Sequence, residues 1–327
     1  MDDSTNSLRW GIIGCGNVCE KKSAPAYQQV DGFRLQGVSA RTPGKALDFA
    51  TRHNVPNHYT SAQALIDDPN IDAVYIATPP DSHCELALKV ASANKICCIE
   101  KPMALNFRQC QQIERTFETQ KLALFVAYYR RSLPGFVQIK QAISSGKIGQ
   151  IRQVSWHYSR PPSDNDLRQK PNWRTDKNVA IGGYFEDLAS HGLDILSFLL
   201  GRVQHAQGIC TNQQGLYTAY DAIVANLLFE NGVTGNASWN FASHLYQDKV
   251  QVLADKGSIE FAIFGNQPAN IYTKDGNETL AMPTPDPIQG PFVQAMADHL
   301  RGVSKHPSQA VSASHTNWIM DKILGVL

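Results

Sequence analysis

The chain has 327 residues, 43% hydrophobic and 18% charged, with a formal net charge of +1. That length allows two domains and at least one sizeable core, and the composition is that of an ordinary globular protein. The near balance of charge gives no basis for a nucleic acid or an anionic membrane as partner, and no apolar run approaches the length that spans a bilayer.

Met1 to Ser7 is polar and acidic and lacks the basic start and apolar core of a signal peptide. The seven cysteines, Cys15, Cys19, Cys84, Cys97, Cys98, Cys110 and Cys210, are odd in number and irregular in spacing. None forms a C-x-x-C pair, so they read as reduced, mostly buried residues, and the expected compartment is the cytoplasm. No His/Cys cluster has zinc spacing, so no metal is expected.

A short apolar strand, Leu8–Ile13, leads into Gly14-Cys15-Gly16-Asn17-Val18-Cys19 and a helical stretch, Lys22–Gln29. This is a G-x-G-x-x-[small] turn, in which the first glycine permits a tight bend and the second lets backbone approach a pyrophosphate at a helix N-terminus. Cys19 replaces the usual third glycine or alanine. A second strand, Phe33–Ala40, ends in Ser39-Ala40-Arg41-Thr42. An NAD-preferring site would place a carboxylate there for the ribose 2′-hydroxyl; Arg41 instead reads as a grip for a 2′-phosphate or as a solvated loop arginine.

The alternation continues with a helix at Ser61–Asp67, a strand at Ala73–Ala77 and the turn Thr78-Pro79-Pro80-Asp81. Ser82 is then the expected N-cap of a helix reaching Ala93. The strand Ile96–Ile99 ends abruptly in Glu100-Lys101-Pro102, and a helix at Asn106–Thr119 and a strand at Leu122–Val126 follow. Cys97 and Cys98, adjacent in a strand, should face opposite sides. Strands alternating with helices predict a doubly wound parallel sheet over residues 1–126, with all strand carboxyl ends on one edge. Lys101 lies on that edge, and the Lys101–Pro102 bond is expected to be cis.

From 127 to 327 the pattern changes. A helix at Pro134–Ser145 and a strand at Ile151–Tyr158 precede a long loop, Ser159–Ile181, which carries Arg160, Trp173 and Arg174. After Gly182-Gly183 comes a mostly apolar helix with Asp187, His191 and Asp194 at i, i+4 and i+7, a polar stripe that faces either water or a site. Asp194 can also be purely structural. Strand-like segments at Val203–Thr211, Tyr220–Phe229, Val233–Trp239, Asp248–Ala254 and Gly257–Ile263 predict an α+β domain on a mainly antiparallel, open-faced sheet, closed by helices at Phe292–Arg301 and Val311–Leu324. The open face predicts a homodimer or homotetramer. Tyr128, Arg130, His157, Arg160, Tyr184 and Trp239 could line a pocket or equally serve as packing and surface groups.

Taken together, Gly11-Ile12-Ile13-Gly14-Cys15-Gly16, Ala77-Thr78-Pro79-Pro80 with His83, Glu100-Lys101-Pro102, Ser145-Gly146-Lys147-Ile148-Gly149, Trp173-Arg174, and Gly182-Gly183 followed by Asp187, His191 and Asp194 carry a family likeness. The chain resembles the oxidoreductases named for glucose-fructose oxidoreductase, inositol dehydrogenase and a rhizopine-catabolism protein (Gfo/Idh/MocA), over nearly its whole length. The resemblance implies a Rossmann domain and hydride transfer between a nicotinamide cofactor and a carbonyl or hydroxyl of a sugar, polyol or related small molecule. It places the catalytic groups on Lys101, Asp187 and His191. Cofactor contacts fall on Gly14, Gly16, Asn17, Val18, Ser39, Arg41, Thr78, Pro79, His83, Glu100, Lys101, Trp173 and Arg174. Val38-Ser39-Ala40-Arg41 looks like NADP-using members more than NAD-using ones. The alternative is an NADP-binding regulatory or sensor protein on the same fold, without turnover.

Overall fold

The computed structural model describes residues 7–327, so the acidic leader, apart from Ser7, lies outside the described residues. The chain forms two compact units. The first runs to Leu133 and takes back Thr284–Ser314, and the second comprises Pro134–Pro283 with His315–Leu327.

In the first unit the elements are β1 (Leu8–Ile13), α1 (Ala24–Gln29), β2 (Phe33–Ser39), α2 (Pro43–Arg52), β3 (Asn57–Tyr59), α3 (Ala62–Asp67), β4 (Ala73–Ile76), α4 (His83–Ser92), β5 (Ile96–Ile99), α5 (Phe107–Gln120) and β6 (Leu124–Val126). The strands make one six-stranded sheet in the order β3-β2-β1-β4-β5-β6, every pairing parallel. The strand order reverses between β1 and β4, where open α/β sheets take their ligands.

Strand alternation sends successive side chains to opposite faces, and each face has its own core. Trp10, Ile12, Tyr75, Cys98 and Phe125 pack with Tyr27, Phe49 and the returning residues Phe292, Val293 and Met296. Ile13, Val74, Ile76, Cys97, Ile99 and Val126 pack with Leu65, Val90, Ile113 and Phe117. Cys97 and Cys98 thus do face opposite sides. All seven cysteines are free, five of them buried.

Three local details depart from the sequence reading. The helix after the glycine turn begins at Asn17 rather than Lys22 and passes through a π-helical turn at Cys19–Ser23. There the buried Cys19 thiol donates to the Gly14 carbonyl at 2.9 Å. Helix α2, opened by Pro43 just after Thr42, occupies a stretch to which the sequence reading assigned no element. Ser82 does not cap α4 through its side chain; its hydroxyl donates to Thr78 Oγ1 (2.7 Å) and the Pro79 carbonyl (2.9 Å) across a 3₁₀ turn.

The second unit contains α6 (Pro134–Ser144), β7 (Ile151–Ser159), α7 (Asp164–Leu167), a π-helical turn at Phe185–Ala189 continuing into α8 (Ser190–Leu200), β8 (Val203–Thr211), β9 (Ala222–Phe229), β10 (Thr234–Asn240), β11 (Gln247–Ala254), β12 (Gly257–Phe261), β13 (Ala269–Thr273) and β14 (Gly276–Leu280). Of the last two helices, α9 (Gly290–Leu300) belongs to the first unit, and the unit boundary falls within α10 (Ala310–Leu324). The eight strands order as β14-β13-β12-β11-β7-β10-β9-β8, antiparallel except between β7 and β10.

One sheet face is buried, by residues such as Val154, Trp156, Leu227, Trp239 and Val252. At Gly192 on α8 a Cβ would come within 2.1 Å of the Trp156 ring, so this glycine lets helix and sheet meet. The opposite face carries Ile209, Val224 and Leu228, which are 69%, 49% and 37% exposed, among polar neighbours including Asn226, Asn236 and His157.

Candidate active site

Because the first sheet is parallel throughout, the exits of β1, β2, β4 and β5 lie on one edge. The backbone joins them side by side: Gly14 N–H donates to the Ser39 carbonyl, Ala77 N–H to Ile13 and Glu100 N–H to Ile76, each at 2.8 Å. Gly14 has φ +111°, and a Cβ there would lie 2.6 Å from the Ala77 carbonyl oxygen, so both conformation and space demand glycine. Gly16 is exposed, and a Cβ there would meet nothing within 4 Å, which leaves its backbone open to approach from outside. Asn17 and Val18 form the first helical residues beyond it.

At the end of β2, Ser39 is buried and its Oγ has no partner among the described residues. Arg41 is exposed and makes no ion pair among the described residues; it lies just ahead of Thr42 and α2, whose N-terminus adds positive potential. A glycine cradle opening onto a helix start, a buried hydroxyl lacking a partner and an adjacent guanidinium fit the pyrophosphate and ribose of a dinucleotide.

Beside the cradle, Thr78-Pro79-Pro80 and Glu100-Lys101-Pro102 are braced together. The His83 ring is fully buried, with Nε2 2.9 Å from the Thr78 carbonyl and Nδ1 3.0 Å from the Pro102 carbonyl. Burial pushes its pKa below the ordinary imidazole value. His83, expected among cofactor contacts, therefore has both ring nitrogens on the main chain of the two turns. Glu100 is likewise engaged locally: its Oε1 accepts from Tyr75 Oη at 2.5 Å and Gln289 Nε2 at 3.1 Å, and its Oε2 from the Lys101 N–H at 3.1 Å. The Lys101–Pro102 bond is cis, as anticipated. Lys101 itself is half-buried at the carboxyl end of β5.

In the second unit the expected one-face stripe takes another form. The turn Phe185–Ala189 is π-helical, so Asp187 and His191 are not related by a regular α-helical step. A stripe facing water is excluded, because His191 is 6% exposed and Asp194 fully buried. Asp194 accepts from Thr316 Oγ1 at 3.3 Å, a structural engagement. Asp187 Oδ2 accepts from Arg174 Nε at 2.5 Å, and that guanidinium lies 4.4 Å over the Trp173 ring. Trp173 and Arg174 thus make a 3₁₀ turn seated on Asp187. The His191 ring stands edge-on to Phe264, centroids 6.0 Å apart.

The long loop of this unit is built, not slack. Ser163 and Asp166 form a capping box over α7, and Asp166 Oδ1 accepts from Tyr184 Oη at 2.6 Å. A cleft of about 590 Å³ opens beside it, lined by Asp166, Asn172, Trp173 and Tyr217 among others. Arg160, at the end of β7, lays its guanidinium 4.1 Å over the Tyr184 ring and 5.8 Å from Phe241. Of the other pocket candidates, Tyr128 and Trp239 are buried core residues, and His157 lies on the open sheet face.

Sequence reasoning missed Tyr75 and Gln289 as holders of Glu100, and Gln289 lies too far along the chain for any local signal to point to it. It also missed Glu186. This carboxyl is buried, accepts from the Gly182 N–H at 2.7 Å, and is pushed up to about 7 by desolvation, with Asp321 adding to the rise.

Residues 8–128 match the family described as oxidoreductase family, NAD-binding Rossmann fold, and 136–260 match that family's C-terminal domain. Oxidoreductase P35 of Formosa agariphila is 33% identical over 321 residues, 97% of this chain and 98% of its own length. The chain belongs to the Gfo/Idh/MocA oxidoreductase family. Among its other relatives, mouse trans-1,2-dihydrobenzene-1,2-diol dehydrogenase is 29% identical over 73% of this chain and 70% of its own. The fold of this Gfo/Idh/MocA chain matches the solved structure of levoglucosan dehydrogenase in complex with NADH at a TM-score of 0.84, over 98% of this chain and 96% of that one at 22% identity. The enzymatic reading stands over that of a sensor without turnover, and the cofactor is a nicotinamide dinucleotide.

Glu186 supplies a pH test of the second unit. Its folded pKa is raised, so its contribution is intact below about 4.5, the unfolded value, and is lost as pH rises towards about 7. Glu186→Gln keeps the acceptor for Gly182 and removes the titration. The variant should gain roughly 2.5 kcal/mol over wild type between pH 5 and pH 8, read by denaturant unfolding at both pH values. Parallel pH dependences would remove the assignment.

Proposed function

We propose that this oxidoreductase uses NADP(H) in preference to NAD(H) and transfers hydride to or from a carbonyl or hydroxyl carbon of a sugar, polyol or related small molecule. The observation that carries the reading is the presence in one chain of Lys101 on the glycine-turn edge and of Asp187 and His191 at the head of a buried helix. Gly14, Gly16, Asn17, Val18, Ser39, Arg41, Thr78 and Pro79 would hold the dinucleotide. Trp173 and Arg174 are proposed as further cofactor contacts, and His83 and Glu100 as supports through the contacts they make around Lys101.

When bound, the nicotinamide donates or accepts the hydride. The rest falls to side chains. In the reductive direction, negative charge grows on the substrate oxygen, and the Lys101 ammonium stabilises it. His191 delivers the proton to that oxygen, and in the oxidative direction removes it. Asp187, steadied by Arg174, orients the substrate. Lys101→Ala and His191→Ala should each lower kcat by about a hundredfold or more while nucleotide binding persists; full turnover in either variant removes that residue from the mechanism.

NADP preference rests on Arg41 and on the lack of a carboxylate among Ser39-Ala40-Arg41-Thr42. Arg41→Ala should raise the KM for NADPH about tenfold or more, the scale of a lost charge-assisted bond, with little change for NADH. Equal losses for both cofactors would sink the 2′-phosphate assignment.

Self-association through the outer face of the eight-stranded sheet is supported by exposed Ile209 and Val224 on paired strands. Light scattering at micromolar concentration should give the mass of a dimer or tetramer, and a monomer would refute it. A reducing, cytoplasmic setting is supported by the seven free thiols.

A further inference from the structure

We propose that Arg160 selects substrates bearing a carboxylate, so that the enzyme acts on a sugar acid or polyhydroxy acid in preference to a neutral sugar. This deepens the function proposed above and rests on it.

The inference begins with an arginine that the fold holds but does not use. Arg160 makes no side-chain hydrogen bond or ion pair among the described residues, and its Nε is buried without a partner. The neighbouring carboxylates are committed elsewhere. Asp166 accepts from Tyr184 Oη through Oδ1 and from the Ser163 N–H and hydroxyl through Oδ2. Asp187 Oδ2 takes Arg174, and Asp248 takes Trp156 Nε1 and the Phe264 N–H. A buried guanidinium donor left unmatched costs free energy, so a fold that keeps one implies a ligand that completes it.

The guanidinium is also oriented. It lies over the Tyr184 ring and near Phe241, so cation–π attraction fixes its plane and strips part of its hydration. Its position relates it to the candidate chemistry of the same unit. Tyr184 is three residues ahead of Asp187 and opens the helical segment that carries His191, and this N-terminal helix end favours negative charge. Tyr158, two residues before Arg160, feels both Arg160 and Asp187 and packs against Phe264, which meets the His191 ring.

A planar fork carrying a single positive charge matches a planar monoanion, which it can bind through two parallel hydrogen bonds. A phosphate dianion would call for a second cation, and Arg174, the other arginine of this cluster, is already neutralised by Asp187.

The test pairs D-glucuronate with D-glucose and D-galacturonate with D-galactose, each with NADP and with NAD, using the full-length protein. Wild type should show kcat/KM at least about tenfold higher for the acids. Arg160→Gln should lose roughly thirtyfold or more on the acids, mainly in KM, and at least tenfold less on the neutral sugars. Arg160→Lys should recover part of the loss. Equal losses on both members of a pair would mark Arg160 as structural and overturn the proposal, as would a wild type that prefers the neutral sugar. If wild type turns over none of the four, the hydride-transfer reading fails on these substrates, and calorimetric titration of glucuronate then decides the inference by itself. Binding by wild type that Arg160→Gln abolishes, with its circular dichroism unaltered, supports the carboxylate site; no binding by wild type overturns it.

Discussion

The strand-exit edge of the first unit depends on one buried ring. His83 stands at the start of α4 with its two nitrogens against the carbonyls of Thr78 and Pro102, so the loop leaving β4 and the loop leaving β5 are held by the same imidazole. Glu100 completes the arrangement from the other side. Tyr75 and Gln289 hold its carboxylate, and the carboxylate in turn receives the Lys101 N–H. Lys101 is therefore presented by a backbone fixed at both of its neighbours, the kind of preorganisation that lets an ammonium stabilise developing charge without rearranging first.

The second unit solves a different problem. Asp187 and His191 head a segment that must also bury Phe185, Leu193, Ile195 and Leu196. Asp187 sits in a π-helical turn, a departure from regular α-helix that is frequent at functional sites. Arg174 neutralises Asp187, while the buried carboxyl of Glu186 is held near protonation by its surroundings. Two adjacent acids thus sit in different surroundings: Asp187 has a guanidinium, whereas Glu186 is raised by burial and by Asp321 against the lowering effect of the Gly182 N–H.

Much of this was legible in the sequence because it rests on local rules. The parallel sheet followed from alternation, the glycine turn from its spacing, and the placement of Lys101 from the proline after it. What escaped was of two kinds. Some signals were present and passed over: Pro43 behind Thr42 marks a helix start, Ser163-x-x-Asp166 marks a capping box, and Asp275-Gly276 marks the turn of the β13–β14 hairpin. Strand β14 itself was beyond reading, for its residues are nearly all exposed and carry no alternation. Others have no local trace: the π-helical register at Asp187, the pairing of Arg174 with it, and Gln289 reaching Glu100 across 189 positions are decided by packing alone.

That last contact belongs to a wider feature, the return of Thr284–Ser314 to a unit begun at the other end of the chain. Phe292, Val293, Met296 and Ala297 fill one of its two cores, Ser308 Oγ bonds the Val126 carbonyl at 2.7 Å, and Gln309 bridges to Phe125 on the edge strand β6. During synthesis from the N-terminus, the nucleotide-binding unit emerges early yet lacks its closing layer until Thr284–Ser314 has also been made. For that interval the nascent chain carries an uncovered apolar face and an unprotected strand edge, the two features that invite misassociation. The discontinuous layout that brings Gln289 to Glu100 thereby makes ribosome-bound folding of the first half a vulnerable stage in the life of this enzyme.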